Sequence, residues 1–412
     1  MAIFGCIADD FTGAGDMASF LAQGGMHTVL YNGVPAEPGG AEGEDAAVVA
    51  LKTRTQETDD AVAASLEALE YLRGLGCTHF YVKYCSTFDS TPRGNIGPIC
   101  DAVMERLQAR FTLLCPALPV NGRTVRDGKL FVNGVPLQES PMKNHPLTPM
   151  WDSDLERLMS PQSRYPVYRL SRSFLETEHP DEHYYLVPDC EDEADLESIT
   201  ARFGALPLLT GGSGLAYPLA RLLSRGGKGR AAALPEPAGG STLLLAGSCS
   251  EATRTQIDRF RASGGACFHL SPEQLLGGGW DFEAFWGQVR RALERGSALV
   301  YTSETPEQVR SARRRWGEVS GALEEGLASL AERARAEGVG KFIVAGGETS
   351  GAVTRRLGMG SYRIGRSVAP GVPVMIPLQA PQMRVVLKSG NFGQPDFFER
   401  AVALLAQPGG GA

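Results

Sequence analysis

Two groups of residues in this chain are spaced for chemistry, and they suit different ligands. The first is Ala345-Gly346-Gly347-Glu348-Thr349-Ser350-Gly351-Ala352, which follows the apolar run of residues 341–344 and precedes a helix expected to open at Ala352. A buried strand that delivers the chain to glycines and hydroxyl residues ahead of a helix aims several backbone N–H groups, and the positive end of the helix dipole, at one spot. Such a spot takes an anion, and a nucleotide phosphate is the usual occupant. Gly347 is the position where a side chain is expected to block close backbone approach and where a positive φ is expected. Ordinary strand–helix turns also use glycine and serine, so this stretch gains weight only beside a second, unlike site.

That second group lies near the N-terminus. It comprises Ala8-Asp9-Asp10-Phe11-Thr12-Gly13-Ala14-Gly15-Asp16, then Lys52-Thr53-Arg54-Thr55, then the polar run from Lys83 to Asn95. Each follows an apolar run that reads as a strand, and the carboxyl ends of strands in an open parallel sheet line the ligand crevice, so the three should converge. Asp9, Asp10 and Asp89 can orient or deprotonate a hydroxyl, and Ser86 and Ser90 can bond sugar oxygens. Arg54 and Lys83 can hold an anion, arginine by a bidentate grip on a carboxylate. Lys83, flanked by Val82 and Tyr84, is an ammonium emerging from an apolar strand and needs a partner. Plainer readings stand beside these: Thr12 with Asp16 also fits helix capping, and Arg93-Gly94-Asn95 fits loop and cap chemistry. His145 shares a polar loop with Lys143 and Asn144 and is a candidate substrate contact. His27, His79 and His269 sit in or beside apolar strands and read as structural.

The elements that must position these residues alternate. Strands are expected over 2–8, 27–31, 46–51, 78–83 and 112–115, with helices over 12–23, 59–72 and 98–108 between them, which predicts a parallel α/β sheet. Residues 124–132 break the rhythm as a hairpin with Asp127-Gly128 at its turn. A Pro-rich polar loop over 138–149 follows, and the α/β pattern resumes over 184–188 and 206–210. Residues 224–241 have linker composition. Beyond them strands are expected over 242–246, 267–270, 298–302, 341–345, 374–377 and 384–388. Ser248-Cys249-Ser250 and Lys388-Ser389-Gly390-Asn391 end two of these, rich in Gly and Ser and poor in acids, which suits a polyphosphate. The expected fold is therefore α/β: two α/β domains, residues 1–230 and 241–412, with largely parallel sheets facing each other across a cleft. No GxxxxGK[ST] and no GxGxxG occurs.

With 412 residues, 43% hydrophobic and 21% charged, the chain is globular and long enough for two cores. A net charge of −7 argues against a nucleic-acid or anionic-membrane surface. No run approaches the ~18 apolar residues of a membrane span. Eight scattered cysteines without a CxxC pair, and no leader-like N-terminus, point to a reducing cytoplasm and give no zinc site.

The motifs Ala8-Asp9-Asp10-Phe11-Thr12-Gly13-Ala14, Lys83-Tyr84-Cys85-Ser86-Thr87-Phe88-Asp89-Ser90-Thr91, Gly211-Gly212-Ser213-Gly214-Leu215-Ala216 and Ala345-Gly346-Gly347-Glu348-Thr349-Ser350-Gly351 resemble, in order and over nearly the whole chain, the four-carbon acid sugar kinase family. Cys115-Pro116-Ala117-Leu118-Pro119-Val120-Asn121-Gly122-Arg123-Thr124, Leu130-Phe131-Val132-Asn133-Gly134-Val135-Pro136-Leu137 and Pro141-Met142-Lys143-Asn144-His145-Pro146-Leu147 look like its 3-oxo-tetronate kinase branch, whose sister branches act on threonate or erythronate. The resemblance implies an N-terminal sugar-acid domain, a C-terminal nucleotide domain, and transfer of a phosphoryl group from ATP to the terminal hydroxyl of a four-carbon acid. Mg2+ would enter as the ATP complex, with no residue assigned as a direct metal ligand. ATP-contacting positions carry over to Ser248, Gly346, Gly347, Glu348, Thr349 and Gly390. Asp10 or Asp89 would take the hydroxyl proton with Lys83 assisting, and Asp9, Arg54, Ser86, Ser90, Arg93 and His145 would hold the acid. The partners implied are the sugar acid and ATP; homo-oligomerisation is left open. A non-kinase sugar-acid enzyme and a two-domain sugar-acid binding protein are the rival readings.

Overall fold

The computed structural model describes residues 2–36, 43–144, 148–171, 182–224 and 240–407. The chain divides into two compact units, Met1–Ala231 and Ala232–Ala412, and the stretch read as a linker falls almost wholly outside the described residues. Both units are α/β. Among the described residues no helix is long and apolar enough to cross a membrane.

Among the described residues of the first unit the strands are β1 Phe4–Ala8, β2 Thr28–Asn32, β3 Ala46–Ala50, β4 His79–Lys83, β5 Phe111–Cys115, β6 Arg123–Arg126, β7 Lys129–Val132, β8 Val135–Pro136, β9 Val167–Arg169, β10 Tyr184–Val187 and β11 Leu208–Gly211. Eight of them form a wholly parallel sheet in the order β2-β3-β1-β4-β11-β5-β10-β9. Helices cover both faces of such a sheet, so its central strands are apolar throughout: every residue of β1 and β3 is buried. The order reverses at β1. The chain moves from β1 out to β2, returns through β3, and crosses to β4 on the other side, which opens a crevice at the carboxyl ends of β3, β1 and β4.

Strands β6, β7 and β8 form a separate antiparallel meander. Its first turn is the expected Asp127-Gly128, with φ of 50° and 71°, and its second is Asn133-Gly134, with φ of 52° and 79°. Both pairs supply the two successive positive φ values that a two-residue hairpin loop needs.

The second unit has β12 Thr242–Ala246, β13 Ala266–His269, β14 Ser297–Tyr301, β15 Lys341–Ala345, β16 Ser361–Ala369, β17 Val372–Pro377 and β18 Arg384–Lys388. Their order is β13-β14-β12-β15-β18-β17-β16. The first five are parallel, and β17 runs antiparallel to both neighbours. Leu244, Ile343, Val386, Phe397 and Phe398 belong to the core on which this sheet packs. At β12, β15 and β18 the register aligns Ala246 with Ala345 and Ala345 with Lys388, so the residues after all three emerge at one level.

Candidate active site

Pairing in the first unit brings its polar clusters to one edge. Ala8 is level with Ala50 on one side and Lys83 on the other. Beyond the strands the ladder continues: Asp9 N–H donates to the Lys83 carbonyl (3.1 Å), Leu51 N–H to that of Ala8 (2.8 Å), and Thr53 N–H to that of Asp9 (3.2 Å). Asp9, Asp10, Arg54 and Lys83 are thus fixed by backbone bonds before any side-chain contact forms.

Arg54 grips Asp9 with both arms, Nε to Oδ2 at 2.8 Å and an Nη to Oδ1 at 3.0 Å, and reaches Asp10 Oδ1 at 3.1 Å. Burial would lower the guanidinium's pKa, but the charge and hydrogen bond of Asp9 together with the charge of Asp10 outweigh it and raise it. Arg54 is therefore committed to two carboxylates and does not present a free fork to an acid. Asp10 is the N-cap of the helix Phe11–Gln23, its Oδ1 accepting the Gly13 N–H at 2.8 Å. Its carboxyl titrates above the usual 3.8, raised by burial against the opposing charge of Arg54. Thr12 and Asp16 do not cap: both lie inside the helix, and Asp16 is buried there. The Ser213 hydroxyl donates to Asp16 Oδ2, while Oδ1 has no hydrogen-bond partner among the described residues.

Lys83 is only 3% exposed, and its Nζ donates to the Tyr84 carbonyl at 2.8 Å. A Cβ placed on Gly13 would lie 2.9 Å from that Nζ, so the ammonium sits against the start of the helix capped by Asp10. No carboxylate among the described residues forms an ion pair with it, and Lys83 is thus the more available cation.

The third cluster folds beside it. Thr87 Oγ1 donates to Asp89 Oδ1 at 2.6 Å, and Ser90 Oγ to Gln162 Oε1 at 2.9 Å. Asn95, read as loop chemistry, is buried: its Nδ2 donates to the carbonyls of Thr53 (2.7 Å) and Gln56 (2.8 Å), and its Oδ1 accepts from Thr58 (2.9 Å). It pins the loop that carries Arg54. Asp9, Arg54, Lys83, Asp89, Ser90 and Asn95 line one crevice, whose enclosed part measures about 20 Å³. Asp10 and Ser86 are partly exposed. Arg93 is exposed and is not among the lining residues, and His145 lies outside the described residues.

In the second unit the helix begins at Gly347, five residues before the expected Ala352, and runs to Arg356. Gly346 is its N-cap, with φ 127° and ψ 133°. The positive φ expected at Gly347 belongs to Gly346, where a Cβ would also stand 3.2 Å from the Ser248 nitrogen; at Gly347 a Cβ would meet nothing within 4 Å. Glu348, Thr349 and Ser350 are therefore first-turn residues, and the helix's leading N–H groups face outward from it, as an anion site requires. Gly247 N–H (3.0 Å) and Ser248 N–H (3.3 Å) donate to the Ala345 carbonyl, and Gly346 N–H donates to that of Lys388 (2.9 Å). Gly390 backs directly onto Ser248 Oγ, closely enough that no side chain fits.

Ser248, Gly346, Gly347, Glu348 and Thr349 form the polar floor of a cavity of about 250 Å³, walled by Val309, Ala312, Val319 and Leu323. Glu304 and Glu324 also line it, and Glu304 is held by His269 at 2.9 Å. Burial, then the neighbouring charge of Glu348, raises the Glu324 carboxyl. Sequence reasoning missed these wall residues because they come from helices without a motif; only Glu304, just past the end of β14, carried a signal. Among the described residues no cluster of three His, Cys, Asp or Glu side chains has metal-site geometry.

A sugar-binding N-terminal domain model matches residues 4–219, and a nucleotide-binding C-terminal domain model matches residues 243–398. A 3-oxo-tetronate kinase of Pseudomonas fluorescens is 44% identical over 98% of this chain and 97% of its own length. Another, from Haemophilus influenzae, is 41% identical over 98% of this chain and 100% of its own. Among solved structures, a Haemophilus influenzae protein superposes with a TM-score of 0.83 at 40% identity, covering 97% of this chain and 99% of that one. A Salmonella typhimurium protein, provisionally named a tRNA synthase, gives 0.87 at 39% identity with the same coverage.

Proposed function

Because the chain belongs to the four-carbon acid sugar kinase family, and within it to the 3-oxo-tetronate kinase branch, we propose that it transfers the γ-phosphoryl group of ATP to the 4-hydroxyl of a 3-oxo-tetronate. The observation that carries this reading is full-length likeness to kinases of that name, in a chain whose two units hold chemically different sites. We assign residues 1–230 to the acid and 241–412 to the nucleotide.

In phosphoryl transfer the protein's task is positioning and charge neutralisation. Lys83, which forms no ion pair among the described residues, is the cation assigned to the acid's carboxylate or to the transferring phosphoryl group. Arg54 acts one step back, orienting Asp9 and Asp10. Asp10 is the assigned base: it is reachable from solvent, and a carboxyl titrating above the usual range is a better proton acceptor near neutrality. Asp89 is the alternative base, and Ser86 and Ser90 are assigned to the acid's oxygens. The Gly346–Thr349 turn, Ser248 and Gly390 are assigned to the phosphates of ATP.

Glu348 supports a metal in this reading. A carboxylate in the first turn of a phosphate-facing helix repels a bare triphosphate, and Glu324 beside it adds to that field. Hard oxygen donors there fit Mg2+ arriving with ATP, and these two residues would hold it. When bound, the ion neutralises charge on the phosphates. The cytoplasm is the assigned location, supported by eight unpaired cysteines.

The test is product analysis. Purified protein with MgATP and a 3-oxo-tetronate should form ADP and a 4-phosphate ester in equal amounts, while ADP release without ester would sink the proposal.

A further inference from the structure

At the end of β18 lies a buried lysine to which neither the family's ATP positions nor the assigned mechanism gives a task. Lys388 is 2% exposed. Its Nζ donates to Thr253 Oγ1 at 3.0 Å, to the Gly390 carbonyl at 3.0 Å and to the Ser389 carbonyl at 3.1 Å, and it stands 5.7 Å from the centre of the Phe397 ring. All its partners are neutral. A desolvated ammonium held only by neutral oxygens is costly to keep, so its position asks for an anion nearby.

Its backbone and its side chain serve different turns. The Lys388 carbonyl accepts the Gly346 N–H at 2.9 Å, which fixes the glycine that starts the helix Gly347–Arg356. Its ammonium joins Ser250 Oγ (2.7 Å) and Thr253 Oγ1 (2.8 Å) on the carbonyl of Gly390. Three donors on one carbonyl hold that peptide plane in a single orientation. In a trans peptide the N–H points opposite to the carbonyl, so the Asn391 N–H is turned away from the buried side. One residue thus fixes both glycine turns and leaves a positive charge behind them.

We propose that Lys388 is the positioning residue of the nucleotide site, tying the Gly346 and Gly390 turns together and supplying the buried charge that favours a polyphosphate on them. The inference rests on the reading that these turns bind ATP.

The charge on Lys388 is titratable. Burial lowers its pKa to about 8, and no other group shifts it. Of the charged side chains on the two helices that hold its ammonium, all but Arg254 are engaged elsewhere or exposed. On Glu251–Ala262, Asp258 pairs with Arg261 (2.8 Å), Arg259 pairs with Glu399 of the last helix (3.5 Å), and Glu251 is exposed; Arg254 keeps a buried, unbonded Nε. On Phe397–Ala406, Arg400 donates to the Val368 carbonyl (2.8 Å). On Gly347–Arg356, which also packs on β18, Glu348 and Arg355 are exposed and Arg356 pairs with Glu325 and Glu332. An anion on the turns favours the protonated lysine, so nucleotide binding takes up a proton near pH 8 and affinity falls as pH rises through that value.

The experiment is calorimetric titration of the full-length protein with the non-hydrolysable analogue of MgATP between pH 7 and 9.5, repeated at pH 8 in buffers of different ionisation enthalpy. The wild-type protein should lose roughly tenfold in affinity across that range and take up a fraction of a proton. Lys388→Met should bind at least tenfold more weakly at pH 7 with a flat profile and no uptake, while folding normally by circular dichroism. Lys388→Arg, charged at every pH, should also be flat but bind more tightly than Lys388→Met. A flat wild-type profile without proton uptake overturns the proposal and needs no variant. So does wild-type affinity in Lys388→Met when Gly346→Val has lost binding. Wild-type affinity in a folded Gly346→Val protein removes the turns from the nucleotide site, and the reading beneath the proposal fails with it.

Discussion

Arg54→Ala is the perturbation whose consequence the structure defines best. It removes both arms from Asp9 and the contact with Asp10, leaving two adjacent carboxylates without their cation. The side chains of Arg54 and Asp9 are 24% and 10% exposed, so the pair is largely but not wholly desolvated. Removing one member of a buried pair costs ~3–5 kcal/mol, and partial exposure places this one near ~3 kcal/mol. For a unit of this size that lowers Tm by roughly 6–12 °C. Most of the loss comes from the stranded charge, so Arg54→Ala combined with Asp9→Asn should be more stable than Arg54→Ala alone. Differential scanning calorimetry of the four proteins of this cycle measures the coupling directly. Steady-state kinetics should show the same order in kcat/KM for the acid, with affinity for MgATP unchanged. Strictly additive Tm shifts, or a variant that loses nucleotide binding and keeps its acid kinetics, would refute the reasoning.

Other perturbations have equally definite outcomes. Gly346→Val should abolish MgATP binding in a folded protein, whereas Gly347→Ala should bind within about threefold of the wild type, because only the first position combines a positive φ with a close neighbour; calorimetric titration of both decides it. The acid limb of kcat should lie above pH 3.8, since burial raises the Asp10 carboxyl and the protonated form cannot accept the hydroxyl proton. Asp10→Asn should remove that limb together with most of the rate, and an unchanged limb would pass the role to Asp89. The stability sign is the reverse: Asp10 contributes most below its unfolded pKa, and that contribution is lost as pH rises through the higher folded one. Asn95→Ala, which frees the Thr53 and Gln56 carbonyls and the Thr58 hydroxyl, should cost about 2–3 kcal/mol in urea unfolding and raise KM for the acid through the loosened Arg54 loop.

What the sequence made legible follows from where information is local. Buried parallel strands are continuous apolar runs, so β1, β3, β4, β12, β15 and β18 stood out, and the polar residues after them marked the two sites. Hairpin chemistry in Asp127-Gly128 was legible for the same reason. Less was legible where a residue's role depends on a distant partner. Arg54 reads as a free anion grip until the fold brings Asp9 and Asp10 against it. Asp16 reads as a cap, yet the cap is Asp10, and Asp16 is buried against Ser213 from almost two hundred residues away. Strand β16 was missed because Arg363 and Arg366 interrupt its apolar pattern and its register shifts twice. Glycine pairs mislead too: the sequence reading puts the turn at Gly347, and the dihedrals put it at Gly346.

The central claim is that this chain phosphorylates a 3-oxo-tetronate, and one measurement tests it most directly. Purified protein and MgATP are incubated separately with both enantiomers of 3-oxo-tetronate, with threonate and with erythronate, and ADP formation is followed alongside 31P NMR of the product. The account predicts that one 3-oxo-tetronate enantiomer gives the highest kcat/KM and a phosphate ester on O4. Preferential turnover of threonate or erythronate would contradict the substrate assignment, and no acid-dependent ADP formation from any of the four would contradict the account as a whole.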